Sequence, residues 1–243
     1  FKASLNLQFA GGGESTLRFA LQSLHRDVRN EVFVEIMAQM NEAWAWPMLL
    51  KMLCDPDASL RREVFNFATK RSKNRLIELL SAALDCPYSD LRAEATKSLD
   101  NNKEEGAEAL LFRALDDEVE NVRQLGLNAL LNTGSPTLSR VMKSKYPDVR
   151  ARAAHARALE GDKDSLIPLL QLVTEEEPEL SELKGKWRER VELALNGLAE
   201  LGDSGALDTL HSLLKSVDPG IRKAAANALV YCSRSDNKEA LLD

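Results

Sequence analysis

A chain of 243 residues that is 44% hydrophobic can bury a large core. Only 5% of it is aromatic, which suits close-packed helices rich in Ala and Leu better than a β-sandwich. The formal net charge of −6 and sequence pI of about 5.3 argue against a dedicated nucleic-acid binder, whose affinity comes largely from Lys and Arg on phosphates.

Residues 1–10 alternate, with Leu5, Leu7 and Phe9 between Ser4, Asn6 and Gln8, a strand period. Gly11-Gly12-Gly13 breaks the chain, so residues 1–13 read as a strand-like segment or tail, and Glu14-Ser15-Thr16 opens a helix. The glycines are not a phosphate loop, because the required Lys is missing. The chain starts at Phe1 and ends at Asp243 after what reads as another helix start, which predicts a piece of a longer protein.

From residue 14 onward one pattern returns: an apolar residue, Arg, a small or apolar residue three positions on, then often Ala-Leu. Val122-Arg123-Gln124-Leu125-Gly126-Leu127-Asn128-Ala129-Leu130 is its clearest copy. The arginines are Arg29, Arg61, Arg92, Arg123, Arg150, Arg188 and Arg222, at intervals of 32, 31, 31, 27, 38 and 34 residues. Self-similarity at this period predicts a repeat solenoid. Apolar positions at these offsets share one helical face. An apolar helix precedes each Arg-bearing one, as in Leu76-Ile77-x-x-Leu80 and Leu110-Leu111-x-x-x-Leu115.

The expected architecture is therefore all-α, a right-handed α-α superhelix of about seven helix pairs. The pairs lie near 14–42, 43–71, 72–101, 102–133, 134–161, 162–202 and 203–233, with an eighth starting at 234–243. Asp218-Pro219 and Ser135-Pro136 read as helix starts, and Asn132-Thr133-Gly134 as a stop. The fifth pair has room for only a stubby first helix. The sixth carries an acidic insertion, residues 174–182, expected to form an exposed loop or helix start. Arg92 and Arg123 are expected to be buried and to bridge neighbouring repeats.

Val122-Arg123-x-x-Gly126-x-x-Ala129-Leu130, Trp187-Arg188-x-x-Val191-x-x-Ala194-Leu195 and Ile221-Arg222-x-x-Ala225-x-x-Ala228-Leu229 resemble the HEAT repeat family in its short, bacterial-type form, as in phycobilin lyases. The resemblance covers about nine tenths of the chain. It implies a binding scaffold, since most such proteins hold other macromolecules, and it leaves open a lyase-like or DNA-glycosylase-like enzyme on the same fold. The di-iron hydroxylases of this type use His-Glu steps, and none of His25, His155 and His211 is followed by Glu.

No cofactor or metal site is legible. Cys54, Cys86 and Cys232 lack metal-ligand spacing and read as buried small hydrophobes in a reducing, cytoplasmic setting. No apolar run reaches the roughly 18 residues of a membrane span, and no signal peptide is visible. The basic clusters Lys70-Arg71-Lys73-Arg75 and Arg140, Lys143, Lys145, Arg150, Arg152, Arg157 sit beside acidic loops, which argues against duplex binding. In the HEAT arrangement the second helices line a concave side. That places Glu63, Asn66, Glu94, Lys97, Asn128, His155 and Asn227 on a polar groove for a protein or peptide, acidic at first and more basic towards Arg152 and Arg190. Trp44 and Trp46, two residues apart, cannot share a helical face, so one is expected in the core and the other as a partner anchor.

Overall fold

The computed structural model describes residues 14–132, 138–178 and 180–239. The strand expected within residues 1–13, the stop at Thr133-Gly134 and the start at Ser135-Pro136 lie outside them. All regular structure among the described residues is helical. The chain divides into two compact units, Phe1–Ala114 and Leu115–Asp243.

The first unit holds α1 (14–20), α2 (Arg26–Ala38), α3 (Ala45–Met52), α4 (Ala58–Arg71), α5 (Leu76–Leu84), α6 (Ser89–Ser98) and nearly all of α7 (Ala107–Leu115). Helices α3 and α4 pack together, as do α5 and α6, and α3 lies against α5 in the neighbouring pair. The first helix of each pair is short and apolar. Met48, Leu49, Leu79 and Leu80 are all 0% exposed, and full burial of such side chains contributes about 1.5–3 kcal/mol each.

The second unit holds α8 (Glu120–Asn132), α9 (Leu138–Val141), α10 (Pro147–Leu159), α11 (Leu166–Val173), α12 (Ser181–Leu201), α13 (Leu207–Leu213) and α14 (Pro219–Glu239). Helices α8, α10, α12 and α14 pack side by side in that order, and α9, α11 and α13 each pair with the longer helix that follows. The stubby first helix of the fifth pair is α9, a single turn. Small residues bring the long helices together. Ala151, Ala153, Ala154 and Ala158 of α10 are buried, as are Ala194 of α12 and Ala225 and Ala228 of α14. Asp218 caps α14, its carboxylate accepting from the N–H groups of Gly220 and Ile221 at 2.7 and 3.2 Å. Helix α14 then runs to Glu239 without the new start expected near residue 234. Ser233, Ser235 and Asp236 are only mildly unfavourable in a helix, and no Gly or Pro interrupts them.

The recurring arginine has a consistent structural job. Its Nη1 donates to the carbonyls five and six residues back, in the turn that joins the two helices of its own pair. Arg61 reaches Asp55 and Pro56 at 2.7 and 3.0 Å, and Arg92 reaches Cys86 and Pro87, both at 3.0 Å. Arg123 binds Asp117 and Glu118, Arg150 binds Ser144 and Lys145, and Arg222 binds Ser216 and Val217 in the same way. The rest of the guanidinium fork turns to an acid of the next repeat. Arg29 makes a two-point pair with Asp55 at 2.6 and 2.9 Å, Arg61 meets Asp90 at 2.7 Å, Arg123 meets Asp148 at 3.1 Å, and Arg150 meets Glu175 at 2.7 Å. Arg92 and Arg123 are each 7% exposed. Aromatic lids complete two of these clasps, with Arg61 3.8 Å from the Tyr88 ring centre and Arg123 4.0 Å from that of Tyr146.

The clasp changes in the sixth pair. The insertion lies just before α12, and Arg188 pairs with Asp218 of the following repeat while half-exposed. The turn is held instead by Trp187, whose indole N–H donates to the Glu175 carbonyl at 3.1 Å. Most of the insertion is an exposed loop, but Glu175 is drawn in by Arg150 and, at 3.9 Å, by Arg190.

Candidate functional site

A broad concavity of the second unit lies across α8, α10 and α12. It is a groove of about 550 Å³. Leu131, Ala156, Leu159 and Leu193 supply its apolar lining, and Asn128, His155, Glu192 and Asn196 are among its polar lining residues. Leu159 is 59% exposed, so a large apolar side chain stands open to solvent among polar neighbours. A smaller recess of about 190 Å³ adjoins it, sharing Arg152, Glu189 and Leu193 with the groove. Glu120, Arg123, Asp148, Lys186 and Arg190 also line this recess.

The charges in the recess are unequally committed. Arg123 is engaged by Asp148, and Lys186 by Glu120 at 2.5 Å. The Lys186 ammonium holds the Glu120 carboxyl below its ordinary range. Arg152 reaches Glu189 only at 3.7 Å and Arg190 reaches Glu175 only at 3.9 Å. The Arg190 Nε is buried with no hydrogen-bond partner among the described residues. These two guanidiniums retain donor capacity that an incoming anionic group would satisfy. On the groove side, burial lowers the His155 pKa below its ordinary value, against a smaller upward pull from Glu200. The imidazole is thus held neutral, able to donate from one nitrogen and accept at the other.

The structure brings Asn128 and His155 together in this groove. Asn227 is exposed on α14 and is not among the lining residues. In the first unit Glu63 and Asn66 are exposed on α4, and Glu94 and Lys97 are exposed on α6. Lys97 lies 3.5 Å from the Glu94 carboxylate, so the expected acidic character there is partly offset within the pair itself. Trp46 is 5% exposed, with Arg75 5.5 Å from its ring centre, whereas Trp44 is half-buried at the start of α3. Several cations of the basic clusters are engaged by neighbouring acids or rings. Arg157 pairs with Asp162 and Glu160, Lys145 with Asp116, and Arg71 sits by the Phe67 ring.

Leu131, Leu159, Glu192 and Asn196 were not singled out from sequence. The usable signal is rotation along the helix. Leu159 lies nine residues after Arg150, and nine steps bring a helical position back close to the face of the fifth. An apolar residue there, amid polar neighbours, marks the groove's apolar lining.

No family model matches the chain. No curated protein matches it either. Among solved structures it is similar to the crystal structure of an engineered protein, with 20% identity, a TM-score of 0.42, and coverage of 77% of this chain and 96% of that one. It is also similar to the X-ray structure of the Escherichia coli protein YibA, with 17% identity, a TM-score of 0.39, and coverage of 94% of this chain and 96% of that one. Neither likeness says what this chain binds. Among the described residues no helix is long and apolar enough to cross a membrane, and no cluster of three His, Cys, Asp or Glu side chains could hold a metal ion.

Proposed function

We propose that this chain is a HEAT-type, non-catalytic cytoplasmic scaffold that binds an extended segment of a protein partner along its second helices. The observation that carries the reading is an exposed leucine in a groove that two asparagines also line. Leu159 stands open to solvent, with Asn128 and Asn196 in the same lining. A peptide backbone presents alternating N–H and C=O groups, and an asparagine side chain can serve both. An apolar side chain of the peptide would cover Leu131, Leu159 and Leu193, and an acidic one beside it would take up the spare donors of Arg152 and Arg190. On the first unit Glu63 and Asn66 offer a separate, acidic contact strip suited to basic residues.

The test is selection from a displayed library of random linear peptides against the full chain, followed by fluorescence-polarisation titration of the selected peptides. Leu159→Lys, and separately the pair Asn128→Ala and Asn196→Ala, should weaken binding at least tenfold. A tenfold loss is about 1.4 kcal/mol, within reach of two lost hydrogen bonds or one unburied apolar contact. Glu176→Ser with Glu177→Ser, in the exposed part of the insertion, should leave affinity unchanged. If the groove variants bind normally and the insertion variant does not, the partner uses the acidic loop and the groove reading fails.

A further inference from the structure

The first unit holds a feature that groove binding does not use. Cys54 follows α3 and Cys86 follows α5, so the two cysteines occupy equivalent turns of neighbouring repeats. Their helices pack side by side, and the two thiols lie close enough to influence each other's titration. The Cys86 Sγ also donates to the Leu53 carbonyl, next to Cys54 in the chain, at 3.7 Å. Both cysteines are free. Cys86 is 1% exposed. Cys54 is half-buried and borders an open recess of about 330 Å³ with Arg18, Gln22, Lys51, Asp55 and Pro56.

We propose that Cys54 and Cys86 form an oxidisable dithiol, in which a peroxide entering the recess beside Cys54 converts the contacting thiols into a disulfide between neighbouring repeats.

The chemistry balances. The pair loses one proton, the remaining proton being shared between the sulfurs. Cys54 attacks one peroxide oxygen as the thiolate, the shared proton resting on Cys86; the S–O bond forms, the O–O bond breaks, and the departing hydroxide takes that proton from Cys86 to leave as water. Cys86 thiolate then attacks the Cys54 sulfenic sulfur, forming the S–S bond and expelling a second hydroxide, which leaves as water once protonated. Two thiols and one hydrogen peroxide give one disulfide and two waters. The surroundings favour the second step. The Tyr88 N–H and the Arg61 guanidinium stabilise the Cys86 thiolate that forms once its proton is taken. Cys54, beside the open recess, is the sulfur that oxidant reaches, and the enclosed Cys86 is the one that resolves it.

The experiment oxidises the reduced full chain with hydrogen peroxide, alkylates the remaining thiols and digests without reductant. Trypsin releases Cys54 in the peptide Met52–Arg61 and Cys86 in Leu76–Arg92. The expected product joins these two peptides, lighter by two hydrogen atoms than their sum. Dithiothreitol should separate them, and Cys232, buried on α14, should be recovered alkylated. In Cys86→Ser, a dimedone adduct should accumulate on Cys54. The proposal is overturned if the wild-type chain gives Cys54 sulfinic or sulfonic acid with Cys86 still alkylatable, or gives only cross-links between chains. The wild-type peptide map decides the matter even if the variant does not fold.

Discussion

Replacing Asp148 and Arg123 singly and together should reveal how far one clasp holds two repeats in register. The Arg123 side chain is 8% exposed and that of Asp148 18% exposed, so the pair is mostly removed from water. Asp148→Ala leaves Arg123 its two turn carbonyls, at 2.9 and 3.0 Å, and the Tyr146 ring. The guanidinium is not stranded, so the cost should be about 1–2 kcal/mol, below the 3–5 of a buried charge left alone. Arg123→Met removes the whole clasp and keeps most of the apolar contact. Hydrogen bonds to a charged donor contribute about 1.5–3 kcal/mol, and water can reach the freed carbonyls at the exposed turn, so a loss of about 2–4 kcal/mol is expected. The double variant should show a coupling of about 1–2 kcal/mol, above the 0–1 typical of exposed pairs. Urea unfolding of all four proteins, followed by circular dichroism and by tryptophan fluorescence, supplies the cycle. Additivity within about 0.3 kcal/mol would refute the clasp as an inter-repeat tie.

Ala129 is 2% exposed on α8, and Ala129→Asp should lower stability by about 3–5 kcal/mol, read as a lower urea midpoint; an unchanged midpoint would place α8 in the wrong register. Gly197→Val should cost about 1–3 kcal/mol by thermal unfolding, because even a Cβ there would lie 3.0 and 3.1 Å from the Leu169 methyls and 3.5 Å from the Ala158 Cβ. His155 has a folded-state pKa below the unfolded value of about 6.5, so its contribution is present above that pH and is lost as pH falls through the folded pKa. His155→Gln should flatten this part of the stability profile, and the wild-type imidazole should titrate below 6.5 by NMR; a midpoint at or above that value would contradict the burial argument.

The repeating arginine made the architecture legible, because one residue type at near-constant spacing has to serve one recurrent geometry. Burial of Trp187 and capping by Asp218 could likewise be read from local pattern. The acid partners were harder to read. Asp55, Asp90, Asp148 and Glu175 lie 25 to 29 residues from their arginines, and one of them belongs to an insertion whose carboxylates looked wholly solvated. The tyrosine lids announce themselves only once Tyr88-Ser89-Asp90-Leu91-Arg92 and Tyr146-Pro147-Asp148-Val149-Arg150 are set side by side. The groove's apolar lining was missed because exposed leucines at helical spacing look like core until neighbouring helices are placed. The Cys54–Cys86 contact depends on two turns meeting across a repeat boundary, which spacing alone does not fix.

The arginine clasp also acts as a gauge of chain length. A guanidinium that grips carbonyls five and six residues behind it fixes that short stretch and leaves the chain before it free. The period can therefore vary from 27 to 34 residues without loosening the grip, since the difference is taken up upstream, as in the one-turn helix α9. Only the 38-residue interval places its extra residues just ahead of the arginine, and there the grip passes to an indole with a single N–H to give. Growth and shrinkage are thus tolerated at one end of each repeat and penalised at the other. Segments grafted into the first helices or the turns before them should be accepted, whereas any placed in the six residues before the arginine must bring a replacement donor.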